Sequence, residues 1–221
     1  MSVKRAYIIR HGQTDWNRIG RWQGSLPVPL NEHGVEQARL LADALRTAPI
    51  QAVYTSDLPR AYDTARALTD ALNLTPVSDP RLQEIHLGVF QGLTRDEIIA
   101  QYPQDWEALH NSGSWYEYKA PGGESRRETQ QRIVTGWQDI TASAGVDTIA
   151  LVSHGMTIRL LMLKLFEGET ERLRRTDFGN TSVTIVERKD GGKRWKLVQL
   201  ADISHLTPAE RRQPSSGEAN E

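Results

Sequence analysis

Three times along this 221-residue chain a short apolar, β-branched run stops abruptly at polar or glycine residues and gives way to a helical period. Val3 to Ile9 leads into Arg10-His11-Gly12, Ala52-Val53-Tyr54-Thr55 into Ser56, and Asp147 to Ser153 into His154-Gly155. Runs without a polar face are what strands covered on both sides require. The helical periods behind them are Val35, Ala38, Leu41, Ala42 and Leu45 after a candidate N-cap at Asn31, and Ala61, Ala65, Leu68 and Leu72 after Pro59, with Ser56 as candidate cap. The third is Ile158, Leu161, Met162 and Leu165 within Gly155 to Leu165. Strands alternating with helices predict an α/β fold, a three-layer α/β/α sandwich around a mainly parallel sheet. Thr181 to Lys189 and Arg194 to Asp202 flank Asp190-Gly191-Gly192-Lys193, predicting a hairpin that makes the sheet mixed.

One stretch breaks the alternation. Between Gly92 and Trp137, Thr94 to Glu97 and Ser125 to Glu128 read as capping boxes, the aromatics Tyr102, Trp106, Trp115, Tyr116 and Tyr118 gather, and no strand pattern appears. A helical cap inserted over about residues 92–137 is expected within a single domain spanning 1–206. Most of its aromatics should form a small local core, with Trp22 and Trp115 the two expected to reach a ligand. From Thr207 onward Pro, Ser, Arg, Glu and Gln dominate, which predicts a disordered tail over 207–221.

Charge confines the chemistry. Lys and Arg total 27 against 28 Asp and Glu, so no global field recruits nucleic acid or a membrane surface, and any anion site must be local. No apolar run approaches the roughly 18 residues of a membrane-spanning helix, so a cytoplasmic location is expected. Cysteine is absent, which excludes disulfides and thiolate catalysis. His, Ser, carboxylates and Arg remain as reactive groups. His33, His86, His110 and His205 show no metal-ligand spacing, and neither metal nor cofactor is expected.

The junctions supply what composition does not. Arg10 and His11 end the first strand, and Gly12 behind them is expected to let the backbone turn sharply. Arg60 falls in the first turn of the helix after the second strand, and Ser153-His154-Gly155 forms the third junction. Open α/β sheets bind ligands at the C-terminal edge of their strands, where free helical N–H groups favour anions. Two Arg and two His are therefore expected around one crevice. Gly179-Asn180 and Thr181-Ser182-Val183 read equally well as pocket lining or sheet edge.

This constellation resembles the histidine phosphatase superfamily, the phosphoglycerate mutase-like family. Arg10-His11-Gly12 with Thr14 and Asn17, Trp22-Gln23-Gly24 with Pro29-Leu30-Asn31 and Gly34, Ser56-Asp57-Leu58 with Arg60-Ala61 and Thr64-Ala65, Leu82-Gln83-Glu84-Ile85 with Gly88, Pro121-Gly122-Gly123-Glu124-Ser125 and Val152-Ser153-His154-Gly155 match its motifs in order. The resemblance implies that His11 takes a phosphoryl group as a phosphohistidine and that Arg10 and Arg60 clamp it. It implies that His154 is a further donor, that Asn17, Gln23 and Gly24 line the substrate site, and that Glu84 is the general acid and base. The chemistry fits the residue types: phosphoryl transfer is mostly positioning and charge stabilisation, and an Arg fork matches phosphate oxygens better than a Lys point charge.

The family holds both phosphatases and cofactor-dependent mutases. Over Gly92 to Pro121 the basic residues are Arg95 and Lys119, outweighed by Asp96, Glu97, Asp105, Glu107 and Glu117, so a grip on a second phosphate is poorly supplied. A small-molecule phosphomonoesterase is therefore the favoured expectation, with a phosphoglycerate mutase as the alternative. A non-catalytic phosphate-binding module would typically lack the nucleophile or the acid. The expected partner is a small phosphate ester, with a homodimer left open.

Overall fold

The computed structural model describes residues 2–110, 115–188 and 194–212. Six strands form one sheet in the order β3-β2-β4-β1-β5-β6: β1 (Arg5–Arg10), β2 (Ala52–Thr55), β3 (Pro76–Ser78), β4 (Thr148–Ser153), β5 (Val183–Glu187) and β6 (Lys196–Asp202). The helices are α1 (Asp15–Arg18), α2 (Glu32–Leu45), α3 (Pro59–Leu72), α4 (Arg95–Gln101), α5 (Pro103–His110), α6 (Arg126–Ser143), α7 (Gly155–Leu165) and α8 (Thr170–Arg175). Strand β1 runs parallel to β4, with Arg10 opposite Ser153, and antiparallel to β5. β2 is parallel to both β3 and β4, and β5 and β6 form the antiparallel pair. The expected mixed α/β sandwich is what the chain forms, and the hairpin loop read at Asp190 to Lys193 lies outside the described residues.

The pleat explains why those apolar runs lack a polar face. Ala6, Ile8, Ile149 and Leu151 pack under Ile133, Trp137 and Ile140 of α6 and Ile158, Leu161 and Met162 of α7. The alternate residues Tyr7, Ile9, Ala150 and Val152 pack against Leu41 of α2 and Ala61, Ala65 and Leu68 of α3. Side chains of successive residues point to opposite faces, so each central strand is buried twice. Each fully buried aliphatic side chain contributes about 1.5–3 kcal/mol. The result is a rigid mount whose C-terminal edge carries the polar residues.

Several readings change. Ala38, Leu41 and Ala42 of the stripe expected on α2 are buried and Leu45 packs against the core, but Val35 is 58% exposed, its place on the buried face taken by Gly34 and Gln37. Strand β3 has only three residues, too few to carry a period. The insertion ends earlier than expected: Trp137 and its neighbours on α6 belong to the layer covering the sheet, while the cap core is Trp22, Phe90, Ile98, Leu109 and Ala120. Residues 207–212 of the expected tail are held in place. Glu210 N–H donates to Thr207 Oγ1, Arg211 binds the Leu206 and Ser204 carbonyls, and His33 pairs with Glu210; residues 213–221 lie outside the described ones. No helix among the described residues is long and apolar enough to cross a membrane.

Gly12 has a different reason from the one expected. Its φ is not in the left-handed region, but a Cβ on it would stand 2.5 Å from the Gly34 carbonyl oxygen. Reciprocally, a Cβ on Gly34 would stand 2.0 Å from the Gln13 carbonyl oxygen and 2.7 Å from its nitrogen. The two glycines let α2 press backbone to backbone against the segment after His11. Ala at a helix position normally gains about 0.5–1 kcal/mol over Gly, whereas overpacking costs about 1–3 kcal/mol, more when the obstacle is backbone. Gly34→Ala is therefore expected to lower the urea midpoint by the equivalent of 1–3 kcal/mol or more. A variant as stable as the parent would show that the contact yields freely.

Candidate active site

Four of the expected residues end strands or begin the helices that follow, and the first turn of α7 gathers two of them, Arg10 and His154, together with Glu84. His154 is its N-cap in extended conformation and is fully buried. The Arg10 guanidinium lies over Gly155, whose added Cβ would be 3.4 Å from Arg10 Cζ, and its Nη1 donates to the Phe178 carbonyl at 2.7 Å. The Glu84 carboxylate reaches the same turn. Its Oε1 accepts from Thr157 N (3.0 Å), Thr157 Oγ1 (2.8 Å) and Ile85 N (3.0 Å), and its Oε2 from Met156 N (3.1 Å). The open N–H groups of a helix N-terminus are what those oxygens bind.

His11 stands against His154 with ring centroids 5.1 Å apart. Its Nδ1 meets the Gly12 carbonyl oxygen at 2.7 Å, so the ring proton sits on Nδ1 and the Nε2 lone pair is open. Burial, then the charges of Arg60 and Arg10, push its pKa well below the usual histidine value; the bond to Gly12 only partly opposes this. The ring is neutral at neutral pH, which leaves it nucleophilic. Arg60 is as deeply buried, and its Nη1 and Nη2 donate to the Leu26 and Gly24 carbonyls, each at 2.7 Å. Gly24 can turn there because its φ is +51°. Its observed contact is thus with the Arg60 guanidinium.

Asn17 and Gln23 are both buried. The Asn17 Oδ1 closes the capping box of α1 with Thr14 at 3.1 Å, which leaves its NH₂ end as the donor. Gln23 Oε1 has no hydrogen-bond partner among the described residues. Neither expected aromatic lines this crevice. Trp22 is 4% exposed and packs edge-on against Phe90 in the cap core, and Trp115 lies between the Arg126 and Arg174 guanidiniums at 4.7 Å from each.

Other participants escaped the sequence reading. Ser56 is not the helix cap; Leu58 holds that position without a side-chain bond. The Ser56 hydroxyl oxygen accepts from Leu58 N at 3.2 Å and meets His154 Nε2 at 2.9 Å. His154 Nδ1 is buried with no partner among the described residues. Burial and then the charges of Arg60, His11, Arg10 and Arg132 also hold His154 well below the usual histidine value. With Ser56 donating to Nε2, the proton of the neutral ring sits on Nδ1 as an unused donor. Asn180 donates to the His11 carbonyl at 3.0 Å and so helps to hold the backbone that carries the ring. Arg132 of α6 clasps the acid loop through the carbonyls of Arg81, Gln83 and Glu84. Among the described residues, no group of three or more His, Cys, Asp or Glu is arranged to hold a metal ion.

Residues 6–202 match the histidine phosphatase superfamily (branch 1). A curated relative from Yersinia pestis, named "Probable phosphoglycerate mutase GpmB", is 32% identical over 205 residues, 91% of this chain and 94% of its own. Among solved structures, a mycobacterial glucosyl-3-phosphoglycerate phosphatase complexed with VO3 is 34% identical with a TM-score of 0.78, covering 90% of this chain and 100% of that one. YhfR of Bacillus stearothermophilus is 31% identical with a TM-score of 0.82 over 91% and 98% of the two chains. On the ordered motifs, the sheet and these matches together, the chain belongs to the histidine phosphatase superfamily.

Proposed function

We propose that the protein is a phosphomonoesterase that hydrolyses a small-molecule phosphate ester through a phosphohistidine on His11. The observation that carries this reading is the buried His11 ring, its Nδ1 engaged by the Gly12 carbonyl, with the buried guanidiniums of Arg10 and Arg60 near enough to disfavour its charged form. Arg10 and Arg60 hold the phosphoryl oxygens, the unused Nδ1–H of His154 adds a donor, and Asn17 and Gln23 supply neutral amide donors. His11 Nε2 attacks phosphorus, the bond to the ester oxygen breaks, and Glu84 delivers a proton to the departing alkoxide. Water then attacks the phosphohistidine, Glu84 accepts its proton, and inorganic phosphate leaves. The Arg and His donors supply the positive charge that a metal ion supplies in other phosphatases, so no metal is required.

A mutase reading rests on the name of the Yersinia relative. Less supports it here, because both guanidiniums bordering the crevice mouth, Arg81 and Arg132, are already held by carboxylates, at Asp79 and Glu124. Release of inorganic phosphate across a panel of phosphate esters, with a His11→Ala variant as blank, tests the proposal. Release above the blank is expected for at least one ester. Cofactor-stimulated interconversion of 2- and 3-phosphoglycerate without phosphate release would replace hydrolase by mutase.

A further inference from the structure

Glu84, the proton donor proposed above, also lines a cleft of about 500 Å³, so an alcohol that takes its proton would stand at that cleft. Its walls are Ser25, Arg81, Gln83, His86, Glu124 and Arg132 with two glycines, and Pro80 is its one apolar side chain. None of the cap aromatics lines it.

The two cations on this wall are spent. Arg81 donates through Nε and Nη2 to Asp79 and through Nη1 to Asp139. Every N–H of Arg132 has an acceptor: Nε and one Nη2 proton go to Glu124 at 3.1 and 2.8 Å, and the others to the Arg81, Gln83 and Glu84 carbonyls. Burial pushes the Glu124 carboxyl up, but Arg132 together with the His86 and Thr129 donors outweighs it and holds the group below its usual value. The pair is therefore ionised at neutral pH. An acidic leaving group would meet the Glu124 carboxylate with no uncommitted cation on the wall, and an aromatic one would find no apolar face.

What the wall does offer is neutral donors and acceptors. Gln83 gives its NH₂ to Asp57, which leaves its carbonyl oxygen as an acceptor. His86 Nδ1 accepts from Gly88 N, so Nε2 is the ring's donor. The Ser25 hydroxyl donates to Gln91, leaving its lone pairs open. Donors and acceptors interleaved at a few ångströms match hydroxyl groups, each of which both gives and accepts.

We propose that this cleft selects a neutral, polyhydroxylated alcohol, the leaving group of a sugar or polyol phosphate, and that Glu124 sets the preference by neutralising Arg132. The proposal rests on the phosphomonoesterase reading above. The test compares kcat/KM for glucose 6-phosphate and glycerol 1-phosphate with that for 3-phosphoglycerate and for benzyl phosphate, in the parent and in Glu124→Gln. The glutamine keeps an acceptor for the His86 N–H while removing the charge. The parent should favour at least one hydroxylated ester over both comparators by about tenfold or more, the scale of one well-made polar contact. Glu124→Gln should shrink the margin over 3-phosphoglycerate severalfold, because a freed guanidinium now attracts the carboxylate. A parent that prefers 3-phosphoglycerate or benzyl phosphate overturns the cleft assignment, and an unchanged margin in the variant overturns the role of Glu124. Absence of phosphate release from all four esters, in a parent that also forms no phosphoenzyme, would instead sink the phosphatase reading itself.

Discussion

In a His11→Ala variant, phosphate release should fall by about 10⁴-fold or more, since loss of the attacking group removes the covalent path and leaves only the electrostatic contribution of the remaining donors. A rapid acid or alkali quench of the parent with labelled ester should trap a phosphoenzyme that survives alkali and is lost in acid, and the variant should show none. Label recovered on another residue would dismiss His11 as nucleophile. The neutral state of the ring has a second consequence. Burial, Arg60 and Arg10 depress the His11 pKa in the folded chain, and His154 is depressed likewise. As pH falls through the ordinary histidine value of about 6.5 the unfolded chain takes up protons that the folded one refuses, so stability declines with acid until the folded pKa is reached. The urea midpoint of the parent should drop from pH 7 towards pH 5, and the His11→Ala variant should drop less. Equal slopes would mean that the ring is protonated in the folded state, against the cause named for its depression.

The depth of burial that creates those pKa shifts is also what made part of the site readable in one dimension. Arg10, His11 and His154 each end a run whose lack of polar face announces a twice-covered strand, and Arg60 opens the helix behind a third. Chain order alone then brings them to one sheet edge, because β1, β2 and β4 are parallel neighbours. Glu84 sits on an irregular segment and Asn17 on the single turn of α1, neither with a period to place it, and only the motif resemblance singled them out. Ser56 was misread because Ser before a Pro-led helix looks like a cap, whereas its partner, His154, is 98 residues away. Gly12 was credited with a turn when it serves a close approach to a second glycine, Gly34, 22 positions on. Arg132 lies on a helix rich in exposed charge, so nothing local distinguishes the guanidinium that clasps the acid loop from its solvated neighbours. In each case the deciding contact is distant in sequence, and such contacts leave no periodic trace.

Glu84→Gln separates the proposed acid from a structural carboxylate. The substitution keeps one oxygen for Thr157 and Ile85 but turns an NH₂ towards the Met156 N–H, donor against donor, where Oε2 now accepts at 3.1 Å. An unsatisfied buried donor costs about 1–3 kcal/mol, so a modest fall in the unfolding midpoint is expected on this ground alone. Such damage would slow every substrate alike. Loss of a proton donor would not: an alkyl alkoxide needs the proton to leave, whereas a nitrophenolate departs with little help. Turnover of an alkyl phosphate should therefore fall by about 10²–10⁴-fold, the usual contribution of a placed general acid, while formation of the phosphoenzyme from p-nitrophenyl phosphate falls far less. The second step adds a further signature, because the same carboxylate is needed to activate water. With the aryl ester the variant should release a burst of nitrophenolate and then accumulate phosphohistidine, its steady rate limited by hydrolysis. Equal losses on both esters with no burst would reduce Glu84 to an anchor for the first turn of α7, and the acid would have to be sought elsewhere on the cleft wall, with His86 the nearest titratable side chain in sequence.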